Sequence, residues 1–220
     1  MKFVIVANGD FPTHNEPLKR LQEADFIICC DGAASETLKH NITPNCIIGD
    51  LDSLDPIVKE QYKDLIIHIS EQETNDQTKA FTYILEKIKK ESIKDFSISI
   101  LGATGKREDH TLGNISLLAD YSKELQNLNQ SHTYTIETVT NYGVFSCHHN
   151  TSTIKTPIHS TISIFAFDET LQIKSKGLEY PTDNVHFDLW WKATLNRTIE
   201  ESYTLHFNHP SRIIIFTTFN

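Results

Sequence analysis

The sequence predicts an α/β fold class: an N-terminal α/β domain with a mainly parallel sheet, followed by an all-β sandwich domain. Three observations lead there. In the first part, short and almost continuously apolar runs alternate with stretches of helical periodicity, as expected for strands buried on both faces and joined by helices. From about Ser131 the helical patterns cease, and short segments rich in Thr, Ser and His alternate apolar with polar residues. The total of 220 residues accommodates one large domain or two modest ones. The expected division is 1–130 and 131–220, with the boundary at "NLNQSHT" (127–133).

In chain order, "FVIVA" (3–7), "FIICC" (26–30), "CII" (46–48), "LIIHI" (65–69) and "FSISIL" (96–101) read as the strands of the first domain. Helices are expected at "ASETLKH" (34–40) and at "DPIVKEQY" (55–62), where Asp55 is the N-cap and Pro56 the first helical residue. "NDQTKAFTYILEKIKK" (75–90) places Phe81, Ile84, Leu85 and Ile88 on one stripe. "DHTLGNISLLADYSKEL" (109–125) does the same with Leu112, Ile115 and Ala119. The sandwich strands are expected at "HTYTIETV" (132–139), "YGVFSC" (142–147), "STISIFAF" (160–167), "LQIKS" (171–175), "YTLHF" (203–207) and "RIIIFTTF" (212–219).

Composition narrows the class. With 39% apolar and 22% charged residues the chain reads as an ordinary globular protein. A formal charge of −9 argues against nucleic acid as a partner, since that needs a basic face to displace counterions. No segment approaches membrane-spanning length, and the apolar run in "MKFVIVANGD" is too short for a signal-peptide core. The four cysteines form no C-x-x-C pair, and Cys29, Cys30 and Cys46 fall in expected buried strands, which points to reduced thiols and a cytoplasmic location. "CHH" at 147–149 is a poor metal motif, because neighbouring residues of a strand face opposite ways.

Polar chemistry gathers where an open α/β sheet binds ligands, beyond the carboxyl ends of its strands. Asn8 and Gly9 follow the first strand, Asp31 and Gly32 the second, and "GDLDS" (49–53) the third. "SEQETNDQTK" (70–79) follows the fourth and "GATGKREDH" (102–110) the fifth. Asp50 and Asp52, two apart, can both reach one Mg²⁺, a cation that favours carboxylates, water and phosphate oxygens. Asp76 reads either as a helix cap or as a third acid, with Lys79 one turn further on. "GATGKR" is a glycine-rich entry to a helix able to present N–H groups to phosphate, with Lys106 and Arg107 adding positive charge. It is not the Walker loop.

The ordered blocks "DGAA" (31–34), "GDLDS", "ETNDQTKA" (73–80) and "GATGKREDHTLGN" (102–114), with fainter "KGLEYP" (176–181) and "ATLNR" (193–197), resemble the thiamine pyrophosphokinase family. The resemblance implies an α/β catalytic, ATP- and Mg-binding domain (1–130), a β-sandwich thiamine-binding domain (131–220), and a homodimer whose substrate cleft lies between subunits. It implies that Asp50, Asp52 and Asp76 hold Mg²⁺ against the triphosphate, with Asp109 beside them in catalysis. Asn8, Gly9, Asp31, Gly32, Lys79, Gly102, Thr104, Lys106 and Arg107 would serve the nucleotide. Gln72, Asp76, Thr194 and Asn196 would contact thiamine. Three positions depart from the family pattern: Asn75 stands for the usual Thr, Lys106 for a Gly and Leu195 for a Ser.

Two rivals remain open at this level. "IIGDLDSL" (47–54) imitates the motif of haloacid-dehalogenase phosphatases, whose first Asp is a nucleophile, but two strands precede it here and the expected Gly-Thr is absent. An EF-hand fails at Leu54 and Asp55. A non-catalytic nucleotide-binding protein could keep every phosphate contact.

Overall fold

The computed structural model describes residues 1–128 and 132–219, so part of the expected domain boundary (129–131) lies outside the described residues. The chain divides into two compact units, Met1–Asn141 and Tyr142–Asn220. The first contains strands β1 (Lys2–Val6), β2 (Phe26–Cys30), β3 (Cys46–Gly49), β4 (Ile66–His68), β5 (Asp95–Leu101) and β6 (Thr133–Val139). They lie in the order β6-β5-β1-β2-β3-β4, and every pair is parallel. The apolar runs form strands because both faces are covered: Val4, Ile5, Ile28, Ile47, Ile98 and Ile100 are all buried.

The connecting helices are α1 (Asn15–Gln22), α2 (Ala33–Lys39), α3 (Pro56–Gln61), α4 (Asp76–Glu91) and α5 (Glu108–Gln126). Asp55 caps α3 as expected, its carboxylate accepting the Ile57 N–H at 2.7 Å, with Pro56 first in the helix. The α4 stripe Phe81, Ile84, Leu85 and Ile88 is buried, and the helix packs on β1, β2 and β3. It stops at Ser92, which adopts a left-handed conformation and donates its N–H back to Ile88 and Lys89.

Three expectations are corrected. The sequence pattern gave no sign of α1, because "NEPLKRLQ" offers only Pro17 and Leu21 to the core; the His14 ring starts the helix by accepting the Glu16 N–H at 3.2 Å. The buried face of α5 is not Leu112, Ile115 and Ala119 but Leu118, Tyr121, Ser122 and Leu125, and Leu112 is exposed. Its first two turns carry polar residues that border a cleft, so packing begins only beyond them. Third, "HTYTIETV" does not open the sandwich. As β6 it pairs in parallel with β5, Ile98 opposite Ile136, and belongs to the first unit. Its burial alternates along much of its length, which is why it resembled the later strands.

The second unit contains β7 (Gly143–His148), β8 (Ser152–Lys155), β9 (Thr161–Ala166), β10 (Ile173–Lys176), β11 (Ala193–Arg197), β12 (Ser202–Phe207) and β13 (Ile213–Thr218). An antiparallel sheet β11-β9-β13-β7 and a second, β10-β12-β8, enclose a core of Ile162, Ile164, Leu205, Tyr203, Ile213 and Ile215. This is a sandwich. Among the described residues no helix is long and apolar enough to cross a membrane. All four cysteines are free, and Cys29, Cys30 and Cys46 are buried.

The buried and exposed faces of the two long helices predict opposite outcomes for similar truncations. Ile84→Ala removes a side chain that is 0% exposed and lowers the unfolding free energy by about 3 kcal/mol. Leu112→Ala, at a site 63% exposed, changes it by no more than about 0.5 kcal/mol. Urea unfolding of the two variants checks both; a comparable loss in each would refute the assigned faces of α5.

Candidate active site

The parallel strands end together, and their polar termini meet in one cleft of about 570 Å³ within the first unit. At its floor, oxygens of Asp31 (after β2), Asp50 (after β3) and Asp76 (first residue of α4) lie within 4.8 Å of one another. Gly49 makes this possible. It adopts φ +154°, and a Cβ there would stand 3.0 Å from the Asp31 Cβ and 3.1 Å from the Asp76 carboxyl carbon. Leu51, with φ +67°, turns the chain sharply between Asp50 and Asp52. Asp76 is free to act as an acid because Asn75, not Asp76, caps α4: the Asn75 side chain accepts the Thr78 N–H at 2.9 Å.

Each carboxylate has its own electrostatic setting. Burial raises the Asp31 pKa to about 6, opposed by the Ser53 N–H donated at 2.9 Å, and its other oxygen is buried without a partner. Burial also raises Asp76, against the pull of Lys79, whose buried ammonium lies 3.1 Å from it. Asp50 is lowered, chiefly because the Gln72 amide donates to it at 2.7 Å. Three converging carboxylates, one with an orphaned oxygen, form a group that could hold a hard divalent cation. Asp52 lines the same cleft but is not one of the three; its carboxylate accepts from the Ser53 hydroxyl at 2.9 Å.

The same cleft is lined by Lys106 and Arg107 from the loop before α5. The Lys106 ammonium donates to the Asn8 backbone oxygen at 3.1 Å and to its side-chain oxygen at 3.3 Å. Arg107 is gripped through two hydrogen bonds by Asp109, which holds that carboxyl well below its ordinary range. Asp109 itself does not line the cleft.

Asn8, Gly9, Asp31, Lys79, Lys106, Arg107 and Gln72 do line it, whereas Gly32, Gly102 and Thr104 do not. Gly102 and Thr104 act through their carbonyls, which accept the Gly9 and Asp10 N–H groups at 2.7 and 2.9 Å. A Cβ on Gly9 would come within 2.3 Å of both carbonyl oxygens, so this glycine lets the β1 and β5 loops clasp.

The expected set omitted Asn75, Gln77, His110 and Asn114, all of which line the cleft. His110 and Asn114 are four apart on α5, a spacing that puts two polar groups on one helix face and offered a signal. Asn114 ties the walls together: it accepts from Asn75 at 3.0 Å, donates to the Ala103 carbonyl at 3.0 Å, and its own carbonyl accepts from Gln77 at 3.2 Å. Thr194 and Asn196 sit on β11 in the second unit. The Asn196 amide is buried and occupied, accepting the Tyr180 N–H at 3.1 Å and donating to the Tyr180 carbonyl at 2.6 Å. Between them Leu195 is 77% exposed with φ +58°.

The family described as "Thiamin pyrophosphokinase, catalytic domain" matches residues 18–129, and "Thiamin pyrophosphokinase, substrate-binding domain" matches 143–216. Thiamine pyrophosphokinase 1 of Oryza sativa subsp. japonica is 31% identical over 138 residues, 54% of this chain and 52% of that protein. Thiamin pyrophosphokinase 1 of Caenorhabditis elegans is 29% identical over 99 residues, 44% of this chain and 40% of that one. The matched segments thus span about half the length of these relatives or less. Among solved structures, thiamin pyrophosphokinase from Candida albicans aligns with a TM-score of 0.82 at 18% identity, covering 100% of this chain and 90% of that one. The Bacillus subtilis structure gives 0.80 at 23%, covering 100% of both. At these identities the structural matches speak to the fold.

The raised Asp31 pKa has a testable sign. Its carboxyl ordinarily titrates near 3.8 and here near 6, so the native state holds its proton more tightly than the unfolded chain does. The stabilisation is complete below about pH 4 and is lost as pH rises through about 6. Asp31→Asn escapes that loss. In urea unfolding without divalent cations, the variant gains on the parent by about 2 kcal/mol between pH 4 and pH 7. A stability difference independent of pH would contradict the burial assigned to Asp31.

Proposed function

This chain belongs to the thiamin pyrophosphokinase family, and on that premise we propose that it transfers pyrophosphate from ATP to the hydroxyl of thiamine, giving thiamine diphosphate and AMP. The observation that carries the reading is the convergence of Asp31, Asp50 and Asp76 in a cleft that Lys106 and Arg107 also line. An ordinary kinase aims its acceptor at the γ-phosphorus; a pyrophosphokinase aims it at the β-phosphorus, so that AMP departs. The task is mostly positioning and charge neutralisation. The phosphatase and the purely binding alternatives find no support in the family match.

Asp31, Asp50 and Asp76 would hold Mg²⁺, and Asp52 is close enough in sequence and cleft to serve a water or a second ligand position. When bound, the cation supplies charge neutralisation at the transferring phosphates. The residues themselves do the rest. Gln72 fixes the orientation of Asp50, and Lys79 balances Asp76. Lys106 and Arg107 provide the cationic wall that a triphosphate requires, with Asp109 holding the Arg107 guanidinium in place. Asn196 keeps the Tyr180 segment attached to β11, which makes it a positioning residue for any thiamine contact from Thr194 or Leu195.

Among the described residues the cleft lining contains no Phe, Tyr or Trp, although thiamine has two aromatic rings. We therefore read the protein as a homodimer in which a second copy completes the thiamine site, and as a cytoplasmic enzyme whose free thiols stay reduced.

Incubation with thiamine, ATP and Mg²⁺ followed by nucleotide chromatography tests the reaction. AMP appears in step with thiamine diphosphate, whereas ADP accompanying thiamine monophosphate would refute pyrophosphoryl transfer. Asp50→Asn and Asp76→Asn each keep the fold and slow turnover roughly a hundredfold or more, about 3 kcal/mol of barrier. Near-parental rates in either would remove that residue from the site. Light scattering finds a dimer at assay concentration; a fully active monomer would sink the shared site.

A further inference from the structure

Polar atoms of α4 and α5 form a run of hydrogen bonds behind the carboxylate cleft, and each bond has an assignable direction. The Asn75 side-chain oxygen accepts the Thr78 N–H at 2.9 Å, which fixes the orientation of that amide. The same oxygen accepts the Thr78 hydroxyl at 2.9 Å. A hydroxyl carries a single proton, so Thr78 has none left for the Tyr121 oxygen, 2.8 Å away. Tyr121 is therefore the donor of that bond. On the far side of Asn75, its amide N–H donates to the Asn114 side-chain oxygen at 3.0 Å. The Asn114 amide in turn donates to the Ala103 carbonyl at 3.0 Å. The run reads Tyr121, Thr78, Asn75, Asn114, Ala103, each donating to the next.

Its two ends differ. Asn75, Asn114 and Ala103 line the cleft, whereas Thr78 and Tyr121 do not. Tyr121 is only 2% exposed and stacks on Phe81 of α4 with ring centroids 4.1 Å apart. Burial pushes its phenol pKa up, so the hydroxyl keeps the proton it donates. A phenylalanine would serve the stacking of the two helices equally well. The hydroxyl serves the hydrogen-bonded run, and burying it without Thr78 would be unfavourable.

What the run controls is the start of α4. Asn75 caps the helix from an extended conformation, with φ −79° and ψ 165°. Asp76 follows as the first helical residue, and its carboxyl joins those of Asp31 and Asp50. If Asn75 turns, Asp76 turns with it. We infer that Tyr121 is a positioning residue for Asp76, acting through Thr78 and Asn75 on the geometry of the three-carboxylate group. The inference rests on the metal-holding role proposed above for those acids, and it adds a residue that touches neither metal nor substrate. Groups directly behind metal ligands typically alter affinity by roughly 10–100-fold, and Tyr121, a step further back, alters it by about fivefold.

Titration with Mn²⁺, which shares the preference of Mg²⁺ for carboxylate and water ligands, tests it. Electron paramagnetic resonance follows the binding, with neither nucleotide nor thiamine present. Tyr121→Phe keeps the ring on Phe81 and raises the Mn²⁺ Kd about fivefold. Thr78→Val breaks the same link and raises it at least as much, and the double variant binds no more weakly than Thr78→Val alone. Phe81→Leu is the control for packing: it loses the stacked ring and lowers the urea midpoint, yet leaves the Mn²⁺ Kd within twofold of the parent. An unchanged Kd in Tyr121→Phe would overturn the inference. So would a loss in Phe81→Leu as large as that in Tyr121→Phe, or losses that add in the double variant. A parent that binds no Mn²⁺ is a different failure: it defeats the metal-holding role itself and takes the inference with it.

Discussion

Mutual repulsion among Asp31, Asp50 and Asp76 is the constraint around which the first unit is arranged. Three acids whose oxygens come within 4.8 Å cannot all ionise without an offsetting charge. The fold answers in three ways. Burial keeps Asp31 and Asp76 above the ordinary carboxylate range, Lys79 lies 3.1 Å from Asp76, and Gln72 donates to Asp50. None of these removes the orphaned Asp31 oxygen. A divalent cation bound there would supply that partner.

Small residues and caps make that crowding sterically possible. Gly49 leaves the space between Asp31 and Asp76 open, and Gly9 lets the β1 loop close onto the β5 loop. Asn75 takes over the capping of α4 and also reaches Asn114. The same residue that departs from the family pattern therefore still performs the local task, since Asn caps helices at least as well as Thr. Lys106 is different. It adopts φ +52° where the pattern has a glycine, so the loop conformation is kept at some backbone strain while a cation is added beside Asn8.

Division of labour also separates the two units chemically. The first carries all the acids and cations of the cleft on the ends of parallel strands. The second is an apolar-cored sandwich that exposes Leu195 and Tyr180 at the segment tied down by Asn196. Asn196 illustrates how a residue matched to a binding motif can contribute by fixing backbone: both ends of its amide are already used on Tyr180.

By itself the sequence determined the alternation of strands and helices, the buried stripe of α4, the Asp55 cap and the blocks from which the cleft is built. These are legible because local periodicity and cap chemistry act within a few residues. Tertiary structure decided what depends on contacts between distant segments. It put Asp31 with Asp50 and Asp76 in the set of three, because proximity there is set by where β2, β3 and α4 end in space. It moved the packed face of α5 to Leu118, Tyr121 and Leu125, because the polar first turns border the cleft. It assigned β6 to the parallel sheet, since a strand with alternating burial looks the same in sequence whichever sheet it joins. Side-chain pattern reports burial; which neighbour does the burying is a property of the folded chain alone.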